Sequence, residues 1–143
     1  MRKPPFQYFE LEEYQERLDA LRGRMEARGI DVLLVSSPEN LYYLTGYQTP
    51  GYYWYQTLVV PLAQDPVFIT RLNEASNIEP LVWVEDSRPY EDHEDWIQHT
   101  HDVLADLGLS DKNVGLQYDS FFLTSRDEKA LTAALPFATF VDG

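Results

Sequence analysis

Apolar residues along the chain fall into two alternating rhythms. From Leu11 they recur at helical spacing: Tyr14, Leu18, Leu21 and Met25 follow i, i+4, i+7, i+11 and form one stripe. Glu12, Glu13 and Glu16 crowd the first turns of this helix while Arg24 and Arg28 crowd the last, both complementing the helix dipole, and Gly29 ends it. The pattern then tightens to Val32–Val35, a short β-branched run of the kind buried inside a sheet. Ser37-Pro38 predicts a second helix start, a hydroxyl that caps free amides followed by a proline preset to helical φ. Leu41 and Leu44 share one face of that short helix, and Gly46 stops it. Thr57–Leu62 and Val67–Thr70 flank the turn signal Ala63-Gln64-Asp65-Pro66 and predict a hairpin, so part of the sheet is antiparallel.

Further along, Arg71–Ile78 reads as a short helix closed by Pro80, and Leu81–Val84 as a fourth strand. Glu85–Asp95 is a polar loop. A helix from about His93 to Leu107 turns Trp96, Thr100, Val103, Leu104 and Leu107 inward, and Gly108 stops it. Val114–Tyr118 is a fifth strand. Ser125-x-x-Glu128 reads as a capping box opening a helix whose Ala130, Leu131, Ala134 and Leu135 face inward until Pro136. Ala138–Val141 is a sixth strand, and Met1–Phe9 an arm in which Pro4-Pro5 blocks regular structure. Helix and strand alternate, so the predicted class is a layered α/β fold with a mixed six-stranded sheet. At 143 residues this is one domain, spanning 1–143, with core enough to fold alone.

The stretch between Gly46 and the hairpin breaks both rhythms. Tyr47, Tyr52, Tyr53, Trp54 and Tyr55 place five rings within nine residues of loop. So apolar a loop covers something: a core edge, a partner chain or a ligand.

Composition narrows the function classes. A formal net charge of −13 argues against nucleic acid as a partner, because phosphate contacts need clustered Lys and Arg. Only three of the eleven basic residues are Lys, a balance that suits high salt, where repulsion between carboxylates is screened, or a longer protein whose other part balances the charge; composition alone does not choose between them. Without cysteine there are no disulfides and no thiolate metal sites. No stretch approaches the roughly 18 apolar residues of a membrane span, and the N-terminus lacks the apolar core of a signal peptide, so the expected location is cytoplasmic.

Candidate chemistry is sparse. His93, His99 and His101 lie near Glu91, Asp92, Glu94 and Asp95, but His99 and His101 are two apart and point to opposite sides of a helix, not along one face as a metal pair does. There is no nucleophile turn of the Gly-x-Ser-x-Gly type and no glycine-rich phosphate loop. A two-metal nuclease needs a carboxylate within its first strand, and here that strand is VLLV. No catalytic and no metal-ligating residue is therefore assigned.

The segment SPENLYYLTGY, Ser37–Tyr47, resembles the N-(I/L)-x-Y-(L/Y)-(T/S)-G segment of the N-terminal domain in the prolidase, aminopeptidase P and creatinase family. The later SRPYEDHED, Ser87–Asp95, is like segments of its Xaa-Pro peptidase-type members. The resemblance implies a three-layer fold with helices on both faces of the sheet, similar in topology to ribonuclease H. It implies a parent hydrolase of Xaa-Pro peptides or a related small C–N substrate, whose catalytic "pita-bread" domain is absent from this chain. That domain would hold two divalent metals (Mn, Co or Zn), or none in a creatinase-like parent; no cofactor falls in residues 1–143. The implied partner is another copy of the chain, with a dimer the expected assembly. The aromatic loop would reach over the neighbouring subunit's active site, with Tyr47, Tyr53 and Tyr55 at the interface and Tyr52 and Trp54 at the substrate. Tyr52 and Trp54 match the positions where creatinase brings a Phe and an Arg. Trp54 cannot pair bidentately with a carboxylate, which argues against creatine, and Arg71 is the candidate replacement cation. The alternative reading is a self-contained binding or oligomerisation module that uses the same loop.

Overall fold

The structure is a computed structural model that describes all residues from Met1 to Gly143. Six helices and six strands alternate: α1 Leu11–Ala27, β1 Val32–Val35, α2 Pro38–Thr45, β2 Thr57–Pro61, β3 Val67–Ile69, α3 Leu72–Ala75, α4 Ile78–Leu81, β4 Asp86–Ser87, α5 Trp96–Asp106, β5 Asn113–Leu116, α6 Ser125–Ala134 and β6 Thr139–Asp142. The strands form one mixed sheet in the order β4-β3-β2-β1-β5-β6. β1 runs antiparallel to β2 and parallel to β5, while β2 and β3 form the antiparallel hairpin.

The sheet is buried on both faces, so its central strands lack polar alternation. Leu33 and Val35 of β1, Leu58 and Val60 of β2 and Phe68 of β3 point into one core with Tyr14, Leu18 and Met25 of α1 and Leu41 and Leu44 of α2. Val32, Leu34, Val59, Val67 and Ile69 point the other way, to Ile97, Val103 and Leu104 of α5 and Leu131 of α6. Gly115 keeps β5 thin on the first face: a Cβ there would lie 2.8 Å from Leu33 Cδ1.

The local signals around α2 act as expected. The Ser37 hydroxyl accepts from the Asn40 amide at 3.3 Å, Pro38 occupies the first helical position, and Gly46 closes the helix at φ 80°. At Gly46 a Cβ would lie 2.5 Å from the Tyr14 hydroxyl, so the turn needs glycine for contact as well as for φ.

Four expectations are corrected. The run Leu81–Val84 is not a strand: Leu81 ends α4, and Val82–Val84 is buried irregular chain, with β4 at Asp86–Ser87. Polar groups there are satisfied from elsewhere: the Trp83 indole donates to Leu44 O at 2.8 Å, and Arg2 donates to Val82 O at 3.0 Å and, through its amide, to Trp83 O at 3.1 Å. Arg71–Ile78 splits into α3 and α4, and Pro80 lies inside α4, where the short helix leaves its amide position unpaired. α5 starts at Trp96, not His93, because the Asp95 carboxylate caps it, accepting from Ile97 N at 2.9 Å and Gln98 N at 3.3 Å. The last helix is capped by Thr124, not Ser125: the Thr124 hydroxyl accepts from Asp127 N at 3.2 Å and donates to the Asp127 carboxylate at 2.6 Å.

Candidate functional site

The aromatic loop leaves α2 at Gly46 and enters β2 at Thr57, and its rings divide between inside and outside. Tyr47 is 1% exposed and packs on Phe68 of β3, ring centroids 4.7 Å apart, so it is taken up by the chain's own core. Tyr55 is also turned inward. Its hydroxyl meets the Thr100 hydroxyl at 3.0 Å, its carbonyl accepts from the Tyr90 hydroxyl at 2.8 Å, and its ring stacks on Trp96 at 6.4 Å. Burial raises both phenols above the ordinary range, Tyr90 to about 12, so they stay neutral donors. Of the residues expected at an interface, only Tyr53 is open to solvent.

Tyr52, Tyr53 and Trp54 form the outward tip, at 49%, 72% and 42% exposure. Glu74 of α3 holds the loop that carries it: its carboxylate accepts from the Thr49 hydroxyl, which in turn accepts from Gly51 N at 2.9 Å. Gly51 is required beside it, because a Cβ would lie 2.5 Å from the Glu74 carboxyl carbon. Trp54 N donates to Gly51 O at 3.0 Å and closes the turn.

Arg71 lies directly behind this tip. Its guanidinium is centred 4.2 Å above the Trp54 ring and pairs bidentately with Asp92, Nε to Oδ1 and Nη2 to Oδ2 both at 2.5 Å. The bond to Arg71 holds the Asp92 carboxyl below its usual range, and the same bond raises Arg71. Of the three candidate substrate residues, Trp54 and Arg71 thus come together, while the Tyr52 ring turns to Tyr53 and Phe122. Asp92 was missed by sequence reasoning because it sits in an acidic stretch that reads as a solvated loop; the Arg71–Tyr90 bridge draws that stretch alongside β3.

A second loop meets the tip. Phe122, between β5 and α6, packs edge-on to Tyr52 at 5.9 Å, and its neighbour Phe121 is 96% exposed. Adjacent phenylalanines between a strand and a helix cap were the available signal for this loop.

The histidines do not converge. His93 lies 3.5 Å from Glu91, His99 Nε2 lies 3.1 Å from Arg88 O, and His101 Nδ1 lies 2.9 Å from Asp102. No three His, Asp or Glu side chains come together in an arrangement suited to a metal ion. No helix is long and apolar enough to cross a membrane.

The family model of the creatinase/prolidase N-terminal domain matches residues 17–143. The chain is 33% identical over 145 residues to an ectoine hydrolase of Halomonas elongata, covering 94% of this chain and 36% of that protein. It is 34% identical to an uncharacterized hydrolase/peptidase of Sinorhizobium fredii, covering 94% and 37%. It therefore spans little more than a third of the length of these relatives. Among solved structures, a proline dipeptidase from Streptococcus pneumoniae superimposes with a TM-score of 0.75 at 24% identity, covering 88% of this chain and 90% of that one. A dipeptidase from Pyrococcus horikoshii gives 0.72 at 19%, covering 89% and 33%. At such identities the likeness is one of fold. With the family model matched from α1 to the last residue, this chain belongs to the creatinase/prolidase N-terminal domain family.

Proposed function

We propose that residues 1–143 act as the non-catalytic N-terminal domain of a hydrolase that cleaves Xaa-Pro peptides or a related small C–N substrate. In this reading the domain pairs two copies of the protein and lends its loop to the neighbouring subunit's active site. The observation that carries it is the outward tip Tyr52-Tyr53-Trp54, three exposed rings on a loop fastened by Glu74 and backed by a fixed Arg71. Rings left in water on a braced loop fit a surface that another molecule covers. Tyr52 and Trp54 would wall the substrate pocket, with Arg71 behind Trp54 meeting a substrate carboxylate by exchanging its bidentate Asp92 partner. Divalent metals, where the parent hydrolase uses them, would belong to a second, catalytic domain.

The test uses the full-length enzyme, assayed on a panel of Xaa-Pro dipeptides, creatine and ectoine. Tyr52→Ala and Trp54→Ala should each lower kcat/KM about tenfold or more. Melting should shift by no more than about 3 °C, since both side chains are exposed. Mixing either variant with a catalytic-domain knockout should restore part of the activity, because some sites then combine an intact loop with an intact neighbour. Mixed oligomers that form yet stay inactive would rule out a wall shared between subunits.

A further inference from the structure

A groove of about 270 Å³ runs between α1 and α2, over β1 and past the end of β5. Leu21 and Met25 of α1, Leu33 of β1 and Leu44 of α2 give it apolar sides. Its charged side chains are Arg17 and Arg24 of α1 and Arg28 just after that helix. Three of the eleven basic residues of the chain thus border the groove and none of its twenty-four acidic ones, in a chain of formal net charge −13.

The three arginines are not equivalent. Arg17 is committed: its Nη1 donates to Tyr43 O at 2.6 Å, its Nη2 to Glu13, and its guanidinium is centred 4.3 Å over the Tyr43 ring, which fixes that ring beside the groove. Arg28 donates to Asp142 O, with the Asp142 carboxylate 3.9 Å away. Arg24, exposed in the last turn of α1, has no hydrogen-bond or carboxylate partner. The helix dipole favours a cation there but occupies none of its N–H groups.

Gln117 borders the same groove and is 9% exposed. Its Oε1 accepts from Ser36 N at 2.8 Å and from Ser37 N at 3.0 Å, and two backbone amides on one atom establish that this atom is the oxygen. The other end, Nε2, donates to no group of the chain and stays open to solvent. The Glu39 and Asp119 carboxylates border a neighbouring hollow of about 180 Å³ that shares Asn40 and Gln117 with the groove. Nε2 bonds to neither, and their charge keeps an anion on the arginine side. An anchored amide donor and a free guanidinium, with apolar side chains beside them, call for an acceptor from outside the chain that is charged at one end and apolar at the other.

We propose that the groove binds a small organic anion, a carboxylate carrying a short apolar chain. The carboxylate accepts from Gln117 Nε2 and pairs with Arg24, and the apolar chain lies along Leu21, Met25 and Leu44.

The 143-residue chain itself, isotope-labelled for NMR, is titrated at constant ionic strength with sodium hexanoate, hexanamide and sodium acetate. Hexanoate should move the side-chain amide resonances of Gln117 and the backbone amide resonances of Arg24 and Leu44 along a saturating curve. Hexanamide, which has the chain but no charge, and acetate, which has the charge but only a methyl group, should bind at least about tenfold more weakly. Arg24→Gln should weaken hexanoate binding about fivefold or more. Gln117→Glu keeps an oxygen for the Ser36 and Ser37 amides but replaces the donor with negative charge, and should abolish saturation. Arg24 is exposed, so R24Q leaves the core untouched and decides alone if Gln117→Glu fails to fold. Absence of a saturating shift, an equal response to acetate or hexanamide, or an affinity unchanged in either folded variant overturns the assignment.

Discussion

At the scale of single residues, the loop works by giving its rings different tasks. Tyr47 and Tyr55 anchor it, one against Phe68 and the other against Trp96 and Thr100, and only then can Tyr52, Tyr53 and Trp54 stand outward. Sequence counting found five rings but could not divide them, because burial depends on which strand or helix lies opposite. The Arg71–Asp92 pair is the most exposed of the braces and therefore the most easily tested. Asp92 has a lowered carboxyl value in the fold, so the pair is complete above the ordinary carboxylate range and is lost as pH falls through the lowered value. Acidification should accordingly release Arg71 from Trp54, read as a shift of the Trp54 indole N–H resonance. Asp92→Asn should produce the same shift at neutral pH while melting moves by no more than about 3 °C, since the pair is superficial. An indole resonance that ignores both changes would show that Asp92 does not hold Arg71 over the ring.

At the scale of elements, most boundaries follow from punctuation: Ser37-Pro38 and Gly46 around α2, Gly29 after α1, Gly108 after α5. The errors arise where two signals overlap. Thr124-Ser125-Arg126-Asp127-Glu128 carries two capping patterns one residue apart, and sequence alone cannot rank them. The structure selects Thr124 with Asp127, so Thr124→Ala should cost about 1 kcal/mol of stability by denaturant unfolding. Ser125→Ala should stay within about 0.5 kcal/mol, as expected for an exposed first-turn position. The reverse ranking would restore the Ser125 cap. Likewise Leu81–Val84 has the composition of a strand, but Val82–Val84 is buried without a ladder, because Arg2 donates to the Val82 and Trp83 carbonyls that a neighbouring strand would otherwise pair.

For the whole molecule, the two cores share one sheet, so neither can melt while the other persists. Central strand β1 sends alternate residues to each, and its loss would expose both. We expect a single cooperative unfolding transition. Its alkaline limit has a defined sign. Burial raises the phenols of Tyr14, Tyr47, Tyr55 and Tyr90, the last to about 12. Groups raised in the fold add stability that is fully present below their unfolded value of about 10 and is lost as pH rises through the folded values. Unfolding should therefore set in above about pH 10. Tyrosinate absorbance from the buried rings should then appear together with loss of the helical circular dichroism signal. Buried tyrosines that ionise as free phenols do, with helices intact, would contradict this.

What the sequence determined by itself is whatever rests on neighbours along the chain. The α1 stripe, the α2 cap and stop, the hairpin turn and the mixed α/β order are all written within a few residues of where they act. The resemblance of Ser37–Tyr47 to a known family is of the same local kind. What only the tertiary structure decided is whatever needs two distant segments at once. Asp92 meets Arg71, Phe122 meets Tyr52, and Gln117 shares a groove with Arg24 and the head of α2. Capping and periodicity are short-range hydrogen bonding and geometry, repeated in every fold that uses them. Which ring is buried, which carboxylate is paired and which polar atom is left without a partner depend on sheet register and loop closure, and no window of sequence contains those.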